Sequence, residues 1–121
     1  VISQDEVHDV ALVECTSVSR DIYFPVEKVE VKIGDEIYVA GAPTGLSGTL
    51  STGIISALRD EDEFDVPLIQ ITAPISPGSS GGPVMDKSGK LIGIAVGSVT
   101  DGQALNFAVP SAQIKNLLDR D

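Results

Sequence analysis

The chain contains no tryptophan, and aromatic side chains make up only 4% of its 121 residues. Cysteine occurs once, at Cys15, so no internal disulfide can form and the fold must stand on packing alone. Cys15 lies in an alternating, strand-like run and reads as a small buried hydrophobe rather than a reactive thiol. Basic residues are scarce: 8 Lys and Arg stand against 18 Asp and Glu, a net charge of −10. That deficit argues against a nucleic-acid partner, because phosphate binding needs a basic face. It argues equally against direct contact with an anionic membrane surface. No apolar run is long enough to span a bilayer, and no signal peptide is present. The chain starts at Val1 and not at Met, which suggests an excised or processed piece. Histidine also occurs only once, at His8.

What is present is glycine, 12 residues of it, with many short apolar runs between the breakers. This pattern predicts an all-β domain. Strand signals become regular from Gly34, over 36–42, 50–58, 66–72, 83–86, 91–96 and 104–109. Gly53 inside the second run marks a bulge or a close approach. The charge run 59–63 reads as a solvated turn. Lys87-Ser88-Gly89 and Asp101-Gly102 mark hairpin turns. Six short strands at this spacing suit a six-stranded antiparallel Greek-key barrel. A short C-terminal helix follows over 111–119, with Ser111 as its N-cap. Ile114, Leu117 and Leu118 fall on one apolar face. Residues 1–8 are polar and read as a frayed end. Residues 9–15 form a strand, and 16–33 read as a packed linker.

The run from Pro77 to Pro83, Pro-Gly-Ser-Ser-Gly-Gly-Pro, organises the rest. Glycine allows a ligand to approach the main chain closely. A nucleophilic serine needs its Oγ clear of the backbone, and N–H groups converging on a developing oxyanion. Ser80, just before Gly-Gly-Pro, is the candidate nucleophile, and the N–H groups of Gly78 and Ser80 the candidate oxyanion hole. Without its flanks the run would be a Gly/Ser-rich surface turn. With them it resembles the G-x-S-G-G-P signature of trypsin-like serine proteases. The longer run 71–84 resembles the HtrA (Deg) branch, with Ser79 where that branch carries Asn or Asp. Asp9-Val10-Ala11-Leu12-Val13 is similar to the segment that carries the triad carboxylate in those proteases. The resemblance extends from Asp9 through the helix and is densest around Ser80 and over 50–56.

The resemblance implies a catalytic pair, Ser80 and Asp9, the Asp accepting a hydrogen bond from the catalytic imidazole. It implies a boundary as well: residues 1–33 would be the last strand of a first barrel and the inter-barrel linker, and 34–121 the second barrel and helix. The base is missing. His8 abuts Asp9, and adjacent strand residues point to opposite faces. His8 therefore reads as a surface residue, and the base is expected in an upstream barrel. Carried over by position, Ile75, Ala95, Val96 and Gly97 border a specificity pocket, with Pro74 at the floor position. An apolar cleft should reject Lys and Arg and accept small aliphatic side chains. No metal or cofactor is expected. The implied partners are polypeptide substrates and the missing N-terminal barrel. Self-association through uncovered apolar surface and an open strand edge is expected too. By resemblance alone the compartment would be periplasmic or otherwise extracytoplasmic. The leading reading is a serine endopeptidase working through a Ser80 acyl-enzyme. The alternative is a non-catalytic, protease-like domain that binds peptides or protein partners.

Overall fold

The computed structural model describes residues 3–6, 10–13, 25–41, 48–59, 67–75, 79–100 and 103–120. Its elements are β1 (Ser3–Asp5), β2 (Val10–Leu12), β3 (Glu36–Gly41), β4 (Thr49–Arg59), β5 (Leu68–Ile71), β6 (Pro83–Asp86), β7 (Leu91–Thr100), β8 (Gln103–Pro110) and a helix α1 (Ser111–Arg120). Strands β3 to β8 close into an antiparallel barrel in the order β3-β4-β5-β8-β7-β6. Six strands and one terminal helix are the architecture expected from the sequence.

The core follows from alternation along the strands. Ile37 and Val39 of β3, Ile55 of β4, Ile69 and Ile71 of β5, Val84 of β6, Ile92 and Ala95 of β7, and Ala108 of β8 form one buried cluster. Half-buried Val29 and Val31 pack against it from the irregular segment before β3. The outer face of β8 is buried too: Phe107 and Val109 flank Ala108 and are 1% and 2% exposed. Helix α1 packs on β7 and β8, and also on β1 and β2.

Gly53 faces the interior of β4 and serves a close approach. A Cβ there would stand 2.5 Å from both the Ala73 nitrogen and Thr72 Oγ1. The irregularity in β4 lies further on, where the register against β5 shifts between Ile55 and Ala57.

Three expectations are corrected. Residues 1–8 are not simply a frayed end, because Ser3–Asp5 pairs antiparallel with Val10–Leu12. Ser-Gln-Asp has no apolar alternation to reveal a strand, yet backbone pairing does not require it. Leu118 is not on the buried face of α1: it is 36% exposed, while Leu117 is buried. Neighbouring helix positions are about 100° apart, so a stripe centred on Leu117 leaves Leu118 at its margin. Ser111 is the first residue of the helix and is itself buried, rather than the flanking residue before it.

The site is set by one connection. Strand β5 lies between β4 and β8, whereas β6 lies between β3 and β7. The chain from β5 to β6 must therefore cross one end of the closed barrel. Ser79 to Gly82 lie on this crossing.

Candidate active site

Ser79 to Gly82 form a tight turn in which the Gly82 N–H donates to the Ser79 carbonyl at 3.1 Å. Gly81, at its third position, has φ +96°. A type II turn needs positive φ at that place, and glycine meets it without steric cost. Pro83 then opens β6, where its missing N–H is tolerated because it is the first strand residue.

Two backbone bonds fasten the turn to β7. The Gly81 N–H donates to the Ala95 carbonyl at 2.8 Å, and the Ala95 N–H donates to the Gly82 carbonyl at 2.9 Å. Ser80 Oγ donates to the same Ala95 carbonyl at 3.5 Å. That is long for an O–H···O bond, so it restrains the hydroxyl only weakly. Ser80 is exposed, whereas Ser79 beside it is 6% exposed. The turn thus buries one serine and presents the other.

On its other side the turn leans on the end of β3. A Cβ on Gly41 would meet Ser79 Oγ at 3.0 Å, and Gly82 sits directly against the Ala40 carbonyl. This contact was not anticipated from the sequence, where Gly41-Ala42-Pro43 reads only as a strand breaker. The usable signal was a glycine at the end of a strand that feeds the same barrel end.

The residues expected to border a pocket are brought together in part. Ile75 is half-buried, and its Cγ2 lies 3.7 Å from where a Gly97 Cβ would stand. Val96 is half-buried and Gly97 exposed. The Ala95 methyl belongs to the barrel core, so this residue offers the turn its carbonyl and its N–H. Strand β7 pairs with β6 only through Leu91, Gly93 and Ile94. Beyond Ala95 it has a strand partner on the β8 side alone, as far as the described residues go. Among the described residues none pairs as a strand with its other edge there, beside Ser80. Asp9, Gly78 and His8 lie outside the described residues. The described residues therefore test neither the carboxylate nor the second donor of the oxyanion hole. Nor do they include a group of three or more His, Cys, Asp or Glu side chains able to hold a metal ion.

Comparison with known proteins identifies the family and the fold. A protein from Brucella suis named "Probable periplasmic serine endoprotease DegP-like" is 35% identical over 128 residues, covering 99% of this chain and 25% of that protein. Among solved structures, the HtrA-type protease AlgW with a tripeptide superposes with a TM-score of 0.73 at 27% identity, covering 86% of this chain and 37% of that one. The MamO protease domain from Magnetospirillum magneticum superposes at 0.79 with 21% identity, over 95% of this chain and 64% of that one, and so supports the fold alone. The chain spans 30% and 25% of the length of two such curated relatives. The trypsin-like peptidase domain family matches residues 1–94. With that match over most of its length, and with HtrA and DegP proteins as its relatives, the chain belongs to the trypsin-like peptidase domain family and is of the HtrA type.

Proposed function

We propose that this chain carries the nucleophile of a serine endopeptidase, and that Ser80 is that nucleophile. One observation carries the proposal: exposed Ser80 stands on a turn bonded to β7, beside an edge of β7 with which no described strand pairs. In the proposed reaction a general base accepts the Ser80 Oγ proton as Oγ attacks the scissile carbonyl carbon. The N–H groups of Gly78 and Ser80 hold the oxyanion of the tetrahedral intermediate. The proton passes to the leaving amine, and water hydrolyses the Ser80 ester by the same steps. Asp9 orients the base. That base would be an imidazole from sequence upstream of this chain, since His8 abuts Asp9 and adjacent strand residues point to opposite faces.

A polypeptide substrate would add its main chain to the edge of β7 beyond Ala95 with which no described strand pairs, as extended peptides add to exposed sheet edges. Its side chain before the cleaved bond would enter the space bordered by Ile75, Ala95, Val96 and Gly97. None of those four residues is a carboxylate that could pair with a Lys or Arg, and Pro74 stands at the floor position, so small aliphatic residues fit best. The tripeptide in the AlgW structure and the periplasmic name of the Brucella relative support peptide substrates and an extracytoplasmic location.

The same reading makes residues 1–33 the last strand of a first barrel and its linker. The chain taken alone would then lack that barrel and its base. It should self-associate, which sedimentation over a concentration series would register as a rising mass. A fluorophosphonate probe tests the chemistry in two arms. Ser80 should label poorly in this chain and readily in the protein extended upstream. Rapid labelling of the short chain would mean that the base has been misassigned. An extended protein that stays inert would move the reading to a non-catalytic module that binds peptides.

A further inference from the structure

We propose that Gly41 is a positioning residue for Ser80: it sets the place of the nucleophile turn through direct contact with Ser79. The three heavy atoms nearest to a Cβ built on Gly41 all belong to Ser79: Oγ at 3.0 Å, Cα at 3.1 Å and Cβ at 3.2 Å. Ser79 is buried. The preceding residue of β3, Ala40, presses its carbonyl on Gly82. The last two residues of β3 therefore touch the first and last residues of the turn. On the opposite side, Ala95 of β7 bonds Gly81 and Gly82. The turn is held between two strands, and Ser80 stands on the part that neither strand covers.

Backbone conformation does not explain a glycine at this position. Gly34, Gly48, Gly81 and Gly89 are the described glycines with positive φ, and Gly41 is not among them. What Gly41 supplies is closeness. Any side chain there must push Ser79 away by a few tenths of an ångström. One of the atoms met is the Ser79 Cα, so rotating a side chain does not relieve the contact. Close-packed interiors transmit such shifts instead of absorbing them. Ser79 is covalently joined to Ser80, so the shift reaches both Oγ and the Ser80 N–H. Rates fall steeply with misalignment, and a misplacement of about 1 Å can cost about 10²-fold.

The kinetic half of the test rests on Ser80 being the nucleophile; the structural half does not. Gly41→Ala is made in the protein at its full natural length, alone and together with Ser79→Gly. In Gly41→Ala we expect kcat to fall about tenfold with KM little changed, as expected when alignment and not binding is lost. Amide exchange in peptides covering Gly81 and Gly82 should quicken, while peptides from β4 stay as protected as before. Ser79→Gly removes two of the three contacting atoms and should restore much of both losses. Unchanged exchange and unchanged kcat in Gly41→Ala would overturn the proposal. So would exchange that quickens throughout the barrel without recovery on adding Ser79→Gly, since Gly41 would then serve the fold and not the turn. If the unmodified protein proves inert, the reading of function fails, and the exchange pattern alone decides the role of Gly41.

Discussion

Strand β6 is four residues long and has a tight turn at each end, and the two turns are built in opposite ways. Both contain a serine and a glycine with positive φ: Ser80 with Gly81 at +96°, and Ser88 with Gly89 at +85°. The turn after β6 is held by its own residues. The Gly89 N–H donates to the Asp86 carbonyl at 3.0 Å, and the Asp86 N–H to the Lys90 carbonyl at 2.9 Å. Asp86 Oδ1 accepts from the Ser88 and Lys90 N–H groups at 2.8 and 3.0 Å. Beside it lies an open hollow of about 390 Å³, lined by Gly34, Asp35, Glu36, Asp86, Lys87 and Ser88. In the turn before β6 the Gly82 N–H bonds the Ser79 carbonyl, and among the described residues two further backbone bonds join it to Ala95 of β7. Its first and last residues press on β3. A locally closed turn needs only to reverse the chain. A turn locked by two other strands can hold a reactive group at a set distance from the rest of a site.

The comparison breaks most visibly at the serines. In the protein at its full natural length, Ser80→Ala should abolish fluorophosphonate labelling and lower kcat by about 10⁶-fold, as removal of a catalytic serine does. Ser88→Ala should leave both unchanged. Equal loss from the two would end the distinction between the turns.

The glycines sharpen it through stability. An alanine at Gly82 would drive its Cβ into the Ala40 carbonyl, whereas at Gly89 nothing lies within 4 Å of a new Cβ. Urea unfolding should therefore show a loss of about 3 kcal/mol for Gly82→Ala, the scale of forced overpacking. Gly89→Ala should cost about 1 kcal/mol, from backbone conformation alone. Similar midpoints for the two variants would mean that the β3 contact yields more readily than its geometry implies.

Smaller effects complete the series. Asp86→Ala removes the acceptor of two turn bonds and should cost about 1 kcal/mol. It should leave the rate of Ser80 labelling unchanged, and a slowed rate would show that the two ends of β6 are coupled. Lys115 and Asp119 lie 3.2 Å apart on the exposed side of α1. Lys115→Ala should shift stability by less than about 0.5 kcal/mol, the baseline for an exposed helix pair.

Strand spacing, turn chemistry and the final helix were legible in the sequence because each rests on local signals. Pro83–Asp86 has the bounds expected from the sequence, and Lys87-Ser88-Gly89 lies in the turn after it. The Ser80 run was legible as a motif, through glycines that few other structures require. Strand β1 was not legible, because Ser-Gln-Asp pairs through its backbone and carries no apolar period. Leu118 was misjudged because an i+4 spacing marks a face only when the centre of the stripe is known.

The spacing of short apolar runs between glycine and proline breakers determined, by itself, the six strands of the barrel, and the apolar period after Ser111 determined the terminal helix. The glycine-flanked run from Pro77 to Pro83 marked Ser80 as the serine to watch. Tertiary structure alone decided that β5 and β6 lie apart, so that the segment joining them must cross the barrel end and meet β3 and β7. The Ser79 contact with Gly41, the Gly82 contact with Ala40 and the bonds to Ala95 join residues far apart in sequence. No local preference encodes them, because they exist only once the barrel has closed and brought the three strand ends together.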